Sequence, residues 1–250
     1  MLELVIVRHG ESVRNHASDL AHHGDTTLLE YQLRFERDEA AWDLTQRGID
    51  QAKLTGTWIR ENVGEDFGFH CVSPFKRTRQ TAASLELGGA NWYVDERLRE
   101  REWGDYLAPG VPRYTVDEYL QDLSYCGAVN WKGAFPGAES VADMIPRCQE
   151  FAEDLIRDNP SGRIVLVTHG GTMKALQFVI ERLPVDQAER LAERHLTNCS
   201  LLHYRLEGCE DPQGCWTGAV RFASPTLPNS PVSDWEGIAG GECFQEFESH

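Results

Sequence analysis

"VIVRHGESVRN", Val5 to Asn15, sets an apolar run against an abrupt polar break. Leu2 to Val7 is nearly all apolar, the pattern of a strand buried on both faces of a sheet. Arg8 and His9 follow where that strand stops. In open α/β sheets, ligands sit at the carboxyl ends of the strands. The stretch therefore predicts a parallel-type sheet and a candidate site at one of its edges.

Three more strands carry the argument outward. "FHCVS" (Phe69–Ser73) leads through Pro74 into "FKRTRQT", placing Ser73, Arg77 and Arg79 at a helix entry. "NWYVDERL" (Asn91–Leu98) leads to Glu100 and Glu102. "GRIVLVT" (Gly162–Thr168) leads to His169, two glycines and a helix. Between them, "LTQRGIDQAKLTGTWIREN" (Leu44–Asn62) has helical spacing with Thr45 as N-cap. A second helix begins after Ser140, with Pro146 predicted to kink or break it. "CSLLHYRL" and "WTGAVRFA" form an antiparallel pair around a turn at Cys209–Cys215. Alternating strands and helices predict an α/β fold. If the strands are parallel, their ends gather two histidines, arginines and a carboxylate on one edge.

Such a set suits phosphoryl transfer. Neutral histidine is a nucleophile toward phosphorus. Arginine matches phosphate oxygens with a planar fork of donors. Backbone N–H groups at the helix starting with Gly170 favour an anion. A carboxyl group can protonate a leaving alkoxide and then deprotonate water.

In sequence order the chain carries "RHGES" with Asn15 beyond it, "LTQRGIDQA", "SPFKRTRQT", "LREREWG", "FPGAES" and "VTHGG". This ordered set resembles the histidine phosphatase superfamily, in its phosphoglycerate mutase-like branch and most closely its phosphatase members. The resemblance implies a three-layer α/β/α sandwich, mostly parallel, with one antiparallel strand. It implies His9 as nucleophile, Glu100 as acid/base, His169 as transition-state stabiliser, and Arg8, Asn15, Arg77 and Gly170 as phosphate-binding. Glu102 competes with Glu100, and spacing does not separate them. The implied chemistry needs no metal and no cofactor. The short separation between Glu100 and His169 resembles phosphatases more than mutases. Phosphoglycerate mutase-type transfer, action on phosphoproteins and a catalytically silent phosphate-binding regulator stand as alternatives.

A formal net charge of −16 disfavours nucleic acid and anionic membranes as partners. The expected partner is a small phosphorylated substrate. Seven scattered cysteines read as free thiols. Met1 runs straight into the first strand without a basic region or cleavage site, so the cytoplasm is expected. Residues 1–224 read as the catalytic domain, with an irregular helical insertion at about 17–43 and a lid at about 105–138 containing one short helix. Residues 225–250 read as a tail. His16, His22 and His23 read as exposed insertion residues. Arg34, Arg37, Arg101, Arg113 and Lys132 are candidates for a second anionic group on the substrate, each weighed against a plain surface charge.

Overall fold

Along β1 (Leu2–Arg8), Leu2, Leu4 and Ile6 enter one apolar core and Val5 and Val7 enter another. β4 (Gly162–Thr168) does the same, with Ile164 and Leu166 on one side and Val165 and Val167 on the other. Side chains alternate across a strand, so two neighbouring apolar strands supply the middle of two cores at once. The computed structural model describes residues 1–35, 38–103, 137–193, 196–206 and 221–223.

Helices cover both faces. α3 (Gln46–Asn62) and α4 (Lys76–Ser84) pack over the valine side, through Ile59, Val63, Ala82 and Leu85. α5 (Val141–Asp158), α6 (Gly170–Ile180) and α7 (Val185–Glu193) cover the other side, through Met144, Cys148, Phe151, Met173, Leu176 and Leu191. The three-layer sandwich is the expected one. Its six strands run in the order β3-β2-β4-β1-β5-β6, with β2 at Phe69–Val72, β3 at Trp92–Val94, β5 at Leu201–Leu206 and β6 at Arg221–Ala223. β5 is antiparallel to both β1 and β6; the other pairings are parallel. Thus β5 alone opposes the rest. Register pairs Arg8 with Thr168 and Val72 with Val167, so β1, β2 and β4 end together.

Caps match their sequence signals. Thr45 accepts from the Gly48 N–H at the start of α3, and Ser140 shares a capping box with Asp143 at the start of α5. Pro146 does not break α5, which continues to Asp158. The buried face from Val141 to Leu155 spans it and outweighs one missing backbone hydrogen bond.

The insertion differs from its expectation too. It is built of regular helices, α1 (Val13–His22) and α2 (Thr27–Phe35), followed by a short turn at Glu39–Ala41. α1 starts inside the first motif on a Ser12–Asn15 capping box. α2 reads as irregular because it fully buries only Leu29 and Gln32, while Tyr31 and Phe35 are exposed. His16, His22 and His23 are exposed, as expected. The expected lid helix, the Cys209–Cys215 turn, the tail, Arg37, Arg113 and Lys132, and the side chain of Arg34 lie outside the described residues. Among the described residues, no helix is long and apolar enough to cross a membrane.

α3 and α4 approach closely because of one residue. A Cβ on Gly56 would lie 1.9 Å from the carbonyl oxygen of Leu85. Replacing glycine by alanine inside an unencumbered helix stabilises it by about 1 kcal/mol. Here a backbone atom blocks the methyl group. Gly56→Ala is therefore expected to lower the free energy of unfolding by about 1–3 kcal/mol, read by urea denaturation. A stabilised variant would show that the helices have room to spare.

Candidate active site

The end of β1 is locked before any side chain acts. The His9 N–H donates to the Thr168 carbonyl at 2.9 Å. Its own carbonyl accepts from the Cys199 N–H at 3.2 Å and from Asn198 Nδ2 at 3.1 Å. Gly10 lies against the first turn of α3 so closely that a Cβ there would sit 2.3 Å from the Gly48 carbonyl oxygen. The Gly10 N–H donates to Thr81 Oγ1 at 3.0 Å. Buried Glu11 closes the same junction, accepting from Arg47 at 2.9 Å and from the Thr45 hydroxyl at 2.7 Å.

This frame orients the imidazole. His9 Nδ1 lies 2.7 Å from the Gly10 carbonyl oxygen. A carbonyl only accepts, so Nδ1 carries the proton. Nε2 then presents its lone pair, and Arg77 Nε donates to it at 3.3 Å. His169 lies beside it, ring centroids 5.3 Å apart. Ser73 Oγ is 2.8 Å from His169 Nε2, and the Phe75 ring packs edge-on at 5.0 Å. His169 Nδ1 is buried without a hydrogen-bond partner among the described residues.

Burial holds both histidines well below the usual range, and the Arg77 and Arg8 guanidiniums push further the same way. Both imidazoles are therefore neutral at neutral pH. Arg77 is lowered to about 10, chiefly by burial, and stays charged. Its Nη1 donates to the Glu39 carbonyl at 2.6 Å, and its guanidinium stacks over Phe75 and Trp42. Arg8 donates to the Leu196 carbonyl; its Nε is buried and unpartnered among the described residues.

The chain's direction points the two glutamates opposite ways. Glu100 turns inward. Its Oε1 accepts from the Arg101 N–H at 3.0 Å, and its Oε2 lies 3.5 Å from the Gly171 N. A Cβ on Gly171 would sit 2.5 Å from Glu100 Oε1, so a side chain there would push the carboxyl out of this position. Glu102 turns outward and pairs with Arg99 at 3.1 Å. Arg147 supports the turn between them, donating to the carbonyls of Arg97, Arg99 and Glu100. α6 begins at Gly170 with His169 as N-cap and no side-chain cap, leaving its first N–H groups for an anion.

The structure thus brings together Arg8, His9, Arg77, Glu100, His169 and Gly170. Asn15 lies in the first turn of α1. Its Oδ1 accepts from the Ser12 N–H and hydroxyl and from Asn198 Nδ2, so it caps α1 and reaches His9 through Asn198. Arg101 stacks on Trp103 at 4.0 Å. Asn198, Thr81 and Glu39 were not singled out in the sequence, because no periodicity or strand end marks them. Ser73 stood at a strand end and was legible as a position, without a role.

A doubly covered α/β sheet with this cluster at its edge defines an enzyme of the phosphatase class. The chain belongs to the histidine phosphatase superfamily (branch 1), whose family model matches residues 4–212. A Hydrogenobacter thermophilus protein named as a phosphoserine phosphatase is 27% identical over 214 residues, covering 83% of this chain and 91% of that relative. A 2,3-bisphosphoglycerate-dependent phosphoglycerate mutase of Afipia carboxidovorans is 28% identical over 213 residues, covering 81% and 91%. The fold matches a mycobacterial glucosyl-3-phosphoglycerate phosphatase structure with a TM-score of 0.64 at 24% identity, covering 87% and 97%.

The neutral histidines make stability depend on pH. In the unfolded chain they take up protons near their ordinary pKa of about 6.5; in the folded chain they do not. The unfolded state then binds more protons, so stability is lost as pH falls below about 6.5. Urea unfolding at about pH 5, 6 and 7 is expected to show that slope, and His9→Asn combined with His169→Asn to flatten part of it. A wild-type stability independent of pH in this range would contradict the neutral pair.

Proposed function

We propose that the protein is a metal-independent phosphatase that hydrolyses a small phosphomonoester through a phosphohistidine on His9. The observation that carries this reading is the neutral His9 Nε2, facing the Arg77 guanidinium with its other nitrogen tied to Gly10. Arg8, Arg77 and the N–H groups at the start of α6 hold the phosphoryl oxygens and balance their charge. His9 Nε2 attacks phosphorus as the ester P–O bond breaks. Glu100, in its acid form, protonates the departing alkoxide. His169 donates to the phosphoryl oxygens as charge builds on them. Glu100, now a carboxylate, takes a proton from water, which attacks phosphorus and breaks the P–N bond. Phosphate leaves and His9 is restored.

Relatives named for phosphoserine and glucosyl-3-phosphoglycerate phosphatase activity support a small phosphorylated metabolite as substrate. The relatives named as phosphoglycerate mutases favour a second reading, in which the phosphoryl group returns to a bound glycerate.

With chelator present, the wild type is expected to hydrolyse an aryl phosphate and to trap acid-labile phosphate on the protein. His9→Ala should lose the label and about 10⁴-fold or more in turnover. Turnover surviving in that variant would overturn the phosphohistidine route. Phosphoryl exchange with a glycerate bisphosphate, but little hydrolysis, would favour the mutase reading.

Glu100→Gln should lose about 10²–10⁴-fold in kcat on an alkyl phosphate. On a nitrophenyl ester, whose leaving group needs no proton, the rate of phosphohistidine formation, read as the burst of nitrophenol, should lose much less, because Glu100 is then needed only for the water step. Glu102→Gln should show no such leaving-group dependence. A dependence that follows Glu102 instead would reverse the assignment.

A further inference from the structure

Arg8 and His9 are held by a turn that the route above does not use. The turn at 197–200 precedes β5 and closes with the Ser200 N–H on the Thr197 carbonyl at 3.1 Å. Within it, buried Cys199 has a φ of 58°. That is the left-handed region, where glycine is the usual residue of a turn. A cysteine persists there only when its surroundings fix it. Thr55 donates its hydroxyl to the Cys199 carbonyl at 3.1 Å. The Leu196 carbonyl accepts from Arg8 Nη1, and the Ser200 carbonyl accepts from the Arg8 N–H. The Cys199 N–H and Asn198 Nδ2 both donate to the His9 carbonyl.

Asn198 does more than donate to His9. Its nitrogen lies 3.1 Å from the His9 carbonyl oxygen and 3.1 Å from Asn15 Oδ1. The first atom only accepts, and the second is fixed as an oxygen by the Ser12 N–H that donates to it. Both hydrogens of the Asn198 amide are therefore engaged. Asn15 is itself held by the Ser12 N–H and hydroxyl, so Asn198 is anchored on α1. The other edge of the same peptide, the Gly10 N–H, donates to Thr81 Oγ1 at 3.0 Å, and Thr81 donates on to the Arg77 carbonyl at 2.7 Å. A peptide is planar, so the His9–Gly10 unit is pinned as a plate at both edges. Its tilt sets where the His9 Cα stands relative to the Gly10 carbonyl. Nδ1 must reach that carbonyl for Nε2 to keep its lone pair forward. Gly10 has no side chain to stiffen the dihedrals between them.

We propose that Asn198 is a positioning residue for phosphoryl transfer, holding the His9–Gly10 peptide so that Nε2 points at phosphorus in a single tautomer. It acts through the main chain of the nucleophile and not by touching the reacting atoms. The inference rests on the phosphatase reading only for the transfer step.

The variant is Asn198→Leu, similar in size and without side-chain donors. The Cys199 N–H stays on the His9 carbonyl and Ser12 stays on Asn15, so neither acceptor is left unmet. Rapid-quench labelling with an aryl phosphate is expected to show phosphohistidine forming about 10²-fold more slowly, as a misplacement of about 1 Å does. Affinity for inorganic phosphate, read by titration calorimetry, should stay at the wild-type value, because the groups that hold the anion are retained. Nitrogen-15 spectra of the His9 imidazole carry a signature that a packing role would not move. They are taken at about pH 8, where an ordinary imidazole is neutral, and His9→Asn assigns the signals. The wild type should show Nδ1 alone protonated; in Asn198→Leu, protonated Nε2 should appear as well. Labelling at the wild-type rate, or an unchanged single tautomer, would overturn the role of Asn198 and leave the phosphatase reading standing. So would a phosphate affinity that falls as far as the rate. No label on the wild type would remove both. The wild type alone also decides the matter, even if the variant does not fold. Both side-chain amide protons of Asn198 should exchange slowly with solvent, and exchange at the rate of an exposed amide would overturn the proposal.

Discussion

The Arg77 guanidinium, set against the free nitrogen of His9, is the contact on which the site depends. Burying a guanidinium is costly unless its donors and its faces are met. Here one N–H reaches the Glu39 carbonyl, another reaches His9, and the faces stack on Phe75 and Trp42. The partners come from the end of the insertion, from the first motif and from the entry to α4. Their convergence fixes the insertion, the first motif and α4 relative to one another. Burial keeps both histidines neutral and the same charge adds to it, so one residue serves the anion, the nucleophile and the architecture.

That arrangement also accounts for an acidic chain with an anion-binding pocket. Surface charges beyond a Debye length of about 10 Å are screened by salt. Arg8, Arg77 and the start of α6 act at contact distance in a site from which water is largely excluded, where electrostatics are much stronger. The acidic surface slows the approach of an anion more than it weakens its binding.

The edge of the site opposite His9 is held by backbone carbonyls and by ion pairs together. Glu100 rests against the start of α6 in the space left by the missing side chain of residue 171. Arg147 fixes the turn by donating to the carbonyls of Arg97, Arg99 and Glu100. Glu139 in turn holds Arg99, Arg147 and the Glu102 N–H. The "LRERE" and "FPGAES" segments are thereby joined into one support, which explains why Glu102 faces outward and Glu100 does not.

The sequence by itself determined the two central strands, their alternation into two cores and the residues at their ends, because those follow from local hydrophobic periodicity and from the polar break after it. It also determined the caps at Thr45 and Ser140, which are local hydrogen bonds. Tertiary structure decided what local pattern does not encode. Whether Pro146 ends a helix depended on the apolar face spanning it. That Asn15 is tied to His9 depended on Asn198, which is distant in sequence. Glu100 and Glu102 are equivalent in spacing, and only the closeness of Gly171 and the grip of Arg147 distinguish them. The Glu39 carbonyl meets Arg77 across 38 positions of sequence, a contact that no local pattern encodes. Sequence fixes which groups a chain owns and which segments bury; the proximity of polar groups far apart in the chain is set by strand pairing and by helix packing.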